Sequence, residues 1–538
     1  KRYVAVQDNF TKIPGSPVAY WAKDNLISCF KGKNVESVVL KVCKGIFTGN
    51  NDKYLRLWYE VNKLLIPKKW NPYSKGGLFR RWYGNSQFLI MWENDGEALK
   101  KEPKAGVGAS KYYRKEHFVW SGISTGIASF RYDFKNVYFD DVSPAIVFKD
   151  EVNWKLLGVL NSKVMIEFLK LIAPTMHFQA GDIKVLPLEN GYENVDESII
   201  KSCVRISKKD WDFFETSWDF KCHPFLAMNQ KSFDSDNSKI TTISDSFGLW
   251  KAYTDIAFEE LKRNEEELNR IFIEIYGLQE ELTPTVEDKD ITIRKADLSR
   301  DIRSFISYAV GCMFGRYSLA KEGLIFAGGQ MTDIYQYHSG LMDGNSVLEE
   351  RFLLEDKPYY FLEGSDYFVG GDNIIPISDE EYFADDIVCR FAEFVEIIYG
   401  TDTLEENLDF IAKALGNKGT TSREIIRNYF LKDFYTDHVK IYQKRPIYWL
   451  FDSGKQNGFK AFIYLHRYNA DTIGNLRVDY LHRIQRIYES EIDRMQDMIE
   501  HSTNSREVGA ATKRKEKLQK QLKECHDYDE KIGHLALS

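Results

Sequence analysis

The chain has 13 prolines among its 538 residues, and no two of them are adjacent. Without a Pro-Pro pair there is no N-P-P-[YF] loop, the backbone cradle with which amino methyltransferases hold an extruded adenine or cytosine. Asn71-Pro72-Tyr73 is the nearest string, and it reads as a turn. A glycine-rich turn between a buried strand and a helix is missing too. AGVGASK from Ala105 follows KKEPK, so Gly106 and Gly108 make a flexible loop rather than a cradle for S-adenosylmethionine or a dinucleotide. No Walker A string, H-E-x-x-H or G-x-S-x-G occurs, so phosphate-loop, zinc-hydrolytic and nucleophilic chemistry have no local support. The triplet Glu287-Asp288-Lys289 has the order used by metal-dependent nucleases. It lies in a polar loop, and a chain with 28% charged residues produces such triplets by chance. Histidines such as His177 and His338 have no sequence neighbour to orient them as bases.

Cysteine is also scarce. Cys29, Cys43, Cys203, Cys222, Cys312, Cys389 and Cys525 are scattered, odd in number and without a C-x-x-C, the pattern of reduced thiols in a cytoplasmic protein. Cys222-His223 and Cys525-His526 could each offer two zinc ligands, but neither has a second pair at finger spacing, so no metal is expected. No apolar run approaches the roughly 18 residues of a membrane span; AVGCMF at 309–314 is core-sized. No signal peptide is visible, and Lys1 falls inside a strand-like phrase, KRYVAVQDNF, so the chain reads as part of a longer protein.

What is present is a strongly divided charge. Residues 1–190 hold 29 Lys+Arg against 18 Asp+Glu, net +11, while the remainder holds 44 against 62, net −18. Within that remainder, residues 191–417 carry 22 basic and 45 acidic groups, net −23, and residues 418–486 turn basic again, 13 against 6, net +7. The overall charge of −7 therefore conceals two basic regions flanking an acidic block. The first contains NPYSKGGLFRRWYGN at 71–85, where cations, aromatic rings and a glycine pair lie together. Guanidinium and ammonium groups neutralise phosphates or fork onto base edges, rings stack on bases, and glycines let backbone approach. Two readings stay open: a nucleic-acid surface, or a cationic loop beside a buried aromatic cluster.

Secondary-structure signals divide the chain in five. Residues 1–45, Pro/Gly-punctuated, read as a connector. Residues 46–190 read as a mixed α/β recognition domain, with strand phrases FVWSGI, SFRYDF, NVYFDD and PAIVF from Phe118, Ser129, Asn136 and Pro144, and one helix over 153–172. Residues 191–300 read as a helical spacer with a long amphipathic helix over 249–282. Residues 301–471 read as an α+β domain with a buried helix at 302–316 and a basic patch, and residues 472–538 as an antiparallel helix hairpin turning near 502–508. The expected class is multidomain α+β.

Several phrases are long enough to carry a resemblance. IPGSPVAYW, FTGNNDKYLRLWYEV, WNPYSKGGLFRRWYGN, WSGISTGIASFRY, LLGVLNSKV with APTMHFQAGDIKVLPL, GCMFGRYSL, YFLKDFYTDHVKIYQKRPIYWLF and GFKAFIYLHRY resemble the post-catalytic half of the adenine-specific DNA methyltransferases of BREX phage-defence systems. The phrase ending APTMHFQAGDIKVLPL also looks like the closing edge of target-recognition domains in type I specificity subunits and fused restriction-modification enzymes, where a helical spacer follows. The resemblance implies the DNA-recognition and scaffold half of a site-specific adenine-N6 methyltransferase, not an enzyme by itself. The S-adenosylmethionine-dependent domain would lie N-terminal to this segment, and the cofactor would be bound there. Expected partners are double-stranded DNA, that methyltransferase domain and other defence components, without a membrane. Lys68, Lys69, Lys75, Arg80, Arg81 and Arg114 are the expected phosphate or base-edge contacts, with Tyr73, Trp82 and Tyr83 to wedge, stack or pack, and Asn85, Lys111, Ser124 and Gln179 to read base edges. Lys444, Arg445, Lys455 and Lys460 would form a second clamp surface on the same DNA. The competing expectations are a protein-interaction scaffold, the specificity part of a fused restriction-modification enzyme, or a nuclease.

Overall fold

The structure is a computed structural model describing residues 11–108, 110–123, 127–174, 177–229, 240–329, 367 and 369–536. Ser124 and His338 lie outside these residues. Helix outweighs strand, about 52% to 11%, and the strands form several small sheets, a multidomain α+β arrangement. The described residues divide into two compact units, one drawn from those up to 220 and 251–295, the other from 221–250 and the described residues after 295. Residues 11–45, the 46–190 segment and much of the 191–300 stretch thus fold together.

Two four-stranded sheets frame the first unit. In one, β2 (Lys41–Cys43), β9 (Ala145–Val147), β6 (His117–Trp120) and β7 (Phe130–Asp133) lie in that order, all antiparallel. In the other the order is β3 (Leu55–Leu57), β5 (Phe88–Met91), β4 (Trp70–Ser74) and β8 (Tyr138–Phe139), the last pair parallel. A short pair, β1 (Lys33–Asn34) with β10 (Pro187–Leu188), joins the start of this unit to residues over 140 positions later in the chain. The four strand phrases read from sequence thus form β6 to β9. The reading of Asn71-Pro72-Tyr73 as a turn is corrected: these residues are the middle of β4. Pro72 pairs with Leu89, and β8 reaches only Tyr73 and Ser74, so on that side the missing proline N–H leaves no ladder bond unmade.

The expected single helix over 153–172 is two, α1 (Trp154–Leu160) and α2 (Lys163–Ile172). Asn161 breaks it because its amide grips a strand: its Oδ1 accepts from Phe130 N–H at 3.0 Å, and its Nδ2 donates to Phe130 O at 3.0 Å. Helix α3 (Glu197–Asp212) packs on α1 so closely that a Cβ on Gly158 would stand 2.7 Å from Ile200 Cδ1. The long helix α4 (Ile243–Ile275) starts at Thr242, whose hydroxyl oxygen accepts from Asp245 N–H at 3.1 Å. It stops at Gly277 (φ +64°), where Leu278 N–H donates to Ile273 O and Gly277 N–H to Glu274 O, the paired bonds of a Schellman turn. Asn269 on α4 accepts from Lys163 N–H at 2.8 Å and so caps α2.

The second unit is built on the sheet β11 (Ile374–Ile377), β13 (Lys460–Tyr464), β12 (Tyr448–Asp452), with β13 central. Helices α5 (Leu298–Met313), α6 (Ile387–Tyr399), α7 (Leu404–Leu415), α8 (Ser422–Lys432) and α9 (Phe434–Ile441) accompany it. One face of β13 packs Phe462 against Phe434, with ring centroids 5.3 Å apart, while Ala461 and Ile463 join the core of the hairpin α10 (His482–His501) and α11 (Ser505–Gly533). That hairpin turns at residues 502–504, within the expected 502–508, and buries Leu518, Cys525 and Ile532. The phrase GCMFGRYSL is core as well: Arg316 is fully buried and donates to the hydroxyls of Tyr317 and Tyr464 at 3.1 and 2.9 Å. No helix among the described residues is long and apolar enough to cross a membrane.

Candidate nucleic-acid interface

The motif at 71–85 falls into a buried half and an exposed half. Strand β4 carries Tyr73 into the core, where its hydroxyl lies 2.7 Å from Asp140 Oδ2. Beyond the loop that follows, Arg80, Arg81, Trp82 and Tyr83 are each 5% exposed or less. Arg80 donates to Tyr83 O, Ser207 O and Thr292 O and pairs with Asp210 at 2.7 Å, its guanidinium 5.0 Å from the Trp211 ring centre. Arg81 pairs with Glu265 at 2.6 Å, and Trp82 Nε1 donates to the other oxygen of that carboxylate at 2.7 Å. Burial pushes the Glu265 carboxyl up while Arg81 draws it back. These contacts correct the expectation of DNA contacts by Arg80 and Arg81, and of the alternatives expected for Tyr73, Trp82 and Tyr83 they leave packing. The motif's arginines tie residues 80–83 to α3 and α4, and its rings pack.

The exposed half is the loop 75–79. Lys75 remains partly exposed, its ammonium 3.8 Å from Asp140. Burial pushes the Asp140 carboxyl up to about 6, against the bonds it accepts from Val142 N–H and Tyr73 and the opposing pull of Lys75. Gly76 bends the chain at φ +72°. Gly77 N–H donates to Ser121 Oγ at 3.1 Å, and Gly77 is followed by Leu78, whose carbonyl accepts from Asn85 Nδ2 at 2.9 Å. That bond corrects the role expected of Asn85, whose amide N–H group holds the loop. Beyond Ser121, Ile123 bridges His177 and Phe178 N–H donates to Gly122 O at 2.8 Å, so residues 75–79, 121–123 and 177–179 form one rim. Gln179 is exposed on it, its backbone N–H bound by Asp182 at the head of a short helix.

Lys68 and Lys111 are exposed and Lys69 half-exposed, and none of the three enters an ion pair with another described residue; Arg114 is exposed beside Tyr138. In the second unit Lys444, Arg445 and Lys455 are exposed around β12, whose Trp449 is also 47% exposed. Lys460 is not: it is buried, its ammonium 3.0 Å from Asp452 and donating to Leu431 O at 3.1 Å, which corrects its expected place on a clamp surface. Residues 287–289 assemble no acidic cluster, since Asp288 pairs with Lys262 and Glu287 with Lys289. The rim residues Leu78 and Ile123, 85% and 58% exposed, went unmarked in sequence. The only signal for Leu78 was an apolar residue directly after a glycine pair.

No family model matches the chain. The adenine-specific methyltransferase PglX of Lacticaseibacillus casei (strain Zhang) is 38% identical over 557 aligned positions, covering 99% of this chain and 44% of its own length. The adenine-specific methyltransferase BrxX of Escherichia coli O9:H4 (strain HS) is 33% identical over 562, again 99% of this chain and 44% of its own length. This chain is homologous to adenine-specific methyltransferases. It spans less than half the length of these curated relatives, and the similarity runs through both of its units.

Proposed function

We propose that this chain is the DNA-recognition and scaffold part of a BREX-type adenine-N6 DNA methyltransferase acting in phage defence. The observation that carries the reading is the placement of charge in the first unit. Arg80 and Arg81, which looked like contacts, are consumed inside the fold, yet Lys68, Lys69, Lys111 and Arg114 stay at the surface of a segment with net +11. Such cations neutralise phosphates and position a duplex, while Gln179 and its rim face base edges. Lys444, Arg445 and Lys455, with Trp449 beside them, form a second contact surface in the second unit. S-adenosylmethionine binding and methyl transfer belong to a part of the protein outside these residues, which is also this chain's expected partner, along with other BREX components.

The test is binding of the chain to duplex DNA across a salt series. Counterion release makes log K fall linearly with log salt, by about 0.9 per phosphate neutralised. A steep slope supports recognition. Little DNA affinity at any salt, together with retained binding to another defence component, supports instead a protein-interaction scaffold, the reading favoured by the acidic block at 191–417.

A further inference from the structure

Leu78 has the highest exposure among the large apolar side chains described, 85%, and it is not on a slack loop. Gly77 and Ser121 are clasped in both directions, Gly77 N–H to Ser121 Oγ at 3.1 Å and the Ser121 hydroxyl to Gly77 O at 3.2 Å. Asn85 holds the Leu78 carbonyl from the other side, and it reaches there only because residue 77 lacks a side chain: a Cβ on Gly77 would stand 2.7 Å from Asn85 Cγ. Asn85 itself adopts φ +62° and Trp82 φ +69°, left-handed conformations that side chains rarely take and that the surrounding packing imposes. A backbone so constrained projects an apolar side chain into water, on the same loop as Lys75 and on the same rim as a second exposed apolar residue, Ile123.

We propose that Leu78, supported by Ile123, is a wedge that enters between stacked base pairs of duplex DNA and unstacks one step. The inference rests on the DNA-recognition reading and gives the exposed rim its chemistry. The net charge of +11 over residues 1–190 favours a polyanion over an apolar protein face, and a rigid apolar tip on a basic segment suits insertion into a base stack. Unstacking also serves the proposed reaction, since adenine N6 is reached only after the base leaves the helix.

The experiment first enriches a randomised duplex pool for binding to this chain, then places 2-aminopurine at successive positions of the selected duplex. With the parent protein, fluorescence should rise several-fold at one step. Leu78→Ala should abolish that rise and weaken binding about tenfold while leaving the salt slope unchanged, because no phosphate contact is lost; Leu78→Met should keep most of both. Salt-dependent binding without an unstacked step, or an unstacked step unaffected by Leu78→Ala, overturns the wedge and leaves DNA recognition standing. If the parent enriches no duplex and shows no salt-dependent binding, both fall. If Leu78→Ala instead converts a sedimenting dimer to monomer without altering the DNA complex, the rim is a contact between copies of the chain and the wedge is wrong.

Discussion

Glu265 governs what Arg81 and Trp82 can do. One carboxylate, buried on α4, accepts from both side chains, and removing either partner leaves a charge or a donor unpaired in the interior. Arg81→Ala should therefore destabilise the first unit by about 3–5 kcal/mol in urea unfolding. Arg81→Met combined with Glu265→Gln should recover most of that loss, because the glutamine oxygen still accepts from Trp82 and no charge remains. Nothing near Arg80 or Arg81 in sequence announces these partners, which lie 130 and 184 positions away; a cation among aromatic residues reads the same whether its counter-ion is a phosphate or a distant helix. A second residue-scale consequence concerns His438. Its Nε2 accepts from Ile447 and Tyr448 N–H, and burial, reinforced by Arg316, holds its pKa down to about 3. The unfolded chain takes up a proton below about 6.5 that the folded imidazole refuses, so this site's stability is present above that pH and is lost as pH falls. Between about pH 5.5 and 4 it should contribute a loss of about 1.4 kcal/mol per pH unit. His438→Gln should reduce the measured slope by that amount.

Among the elements, the hairpin α10–α11 does more than cover the sheet. Glu524 on α11 accepts from Ser453 Oγ at 2.8 Å, Gln456 N–H at 2.8 Å and Gly458 N–H at 3.0 Å, gathering the connection between β12 and β13 onto one carboxylate. Glu524→Ala should cost about 2–4 kcal/mol, since bonds to a charged acceptor are among the stronger ones. It should raise hydrogen exchange at Gln456 and Gly458 well before the sheet core. Periodicity revealed the hairpin, α4 and α5, because their apolar stripes repeat over four turns or more. It revealed β6 to β9, because β-branched and aromatic residues cluster between turn signals. It missed β3 to β5, which are three to five residues long and include Pro72, and it merged α1 with α2, because the break depends on what the Asn161 side chain binds rather than on any helix-breaking residue. The rim was legible only in part: Lys75 and Gln179 stood out by type, whereas Leu78 gains meaning from the backbone clasp that exposes it.

At the level of the whole molecule, the charge division is what sequence and structure share. The basic segment at 1–190 retains exposed lysines after Arg80 and Arg81 have gone inside, and the homologous adenine-specific methyltransferases extend well beyond the length of this chain. The proposed DNA contact therefore depends on Lys68, Lys69 and Lys111, and not on Arg80 and Arg81. The most direct measurement is the salt dependence of duplex binding for three proteins: the parent, Lys68→Ala/Lys69→Ala/Lys111→Ala, and Arg81→Met/Glu265→Gln. The account predicts a slope of log K against log salt about 2.7 units shallower for the triple lysine variant, at about 0.9 per phosphate contact, and a parental slope for the Arg81–Glu265 double variant. A parental slope in the lysine variant, or a shallower one when the buried pair is replaced, would contradict it.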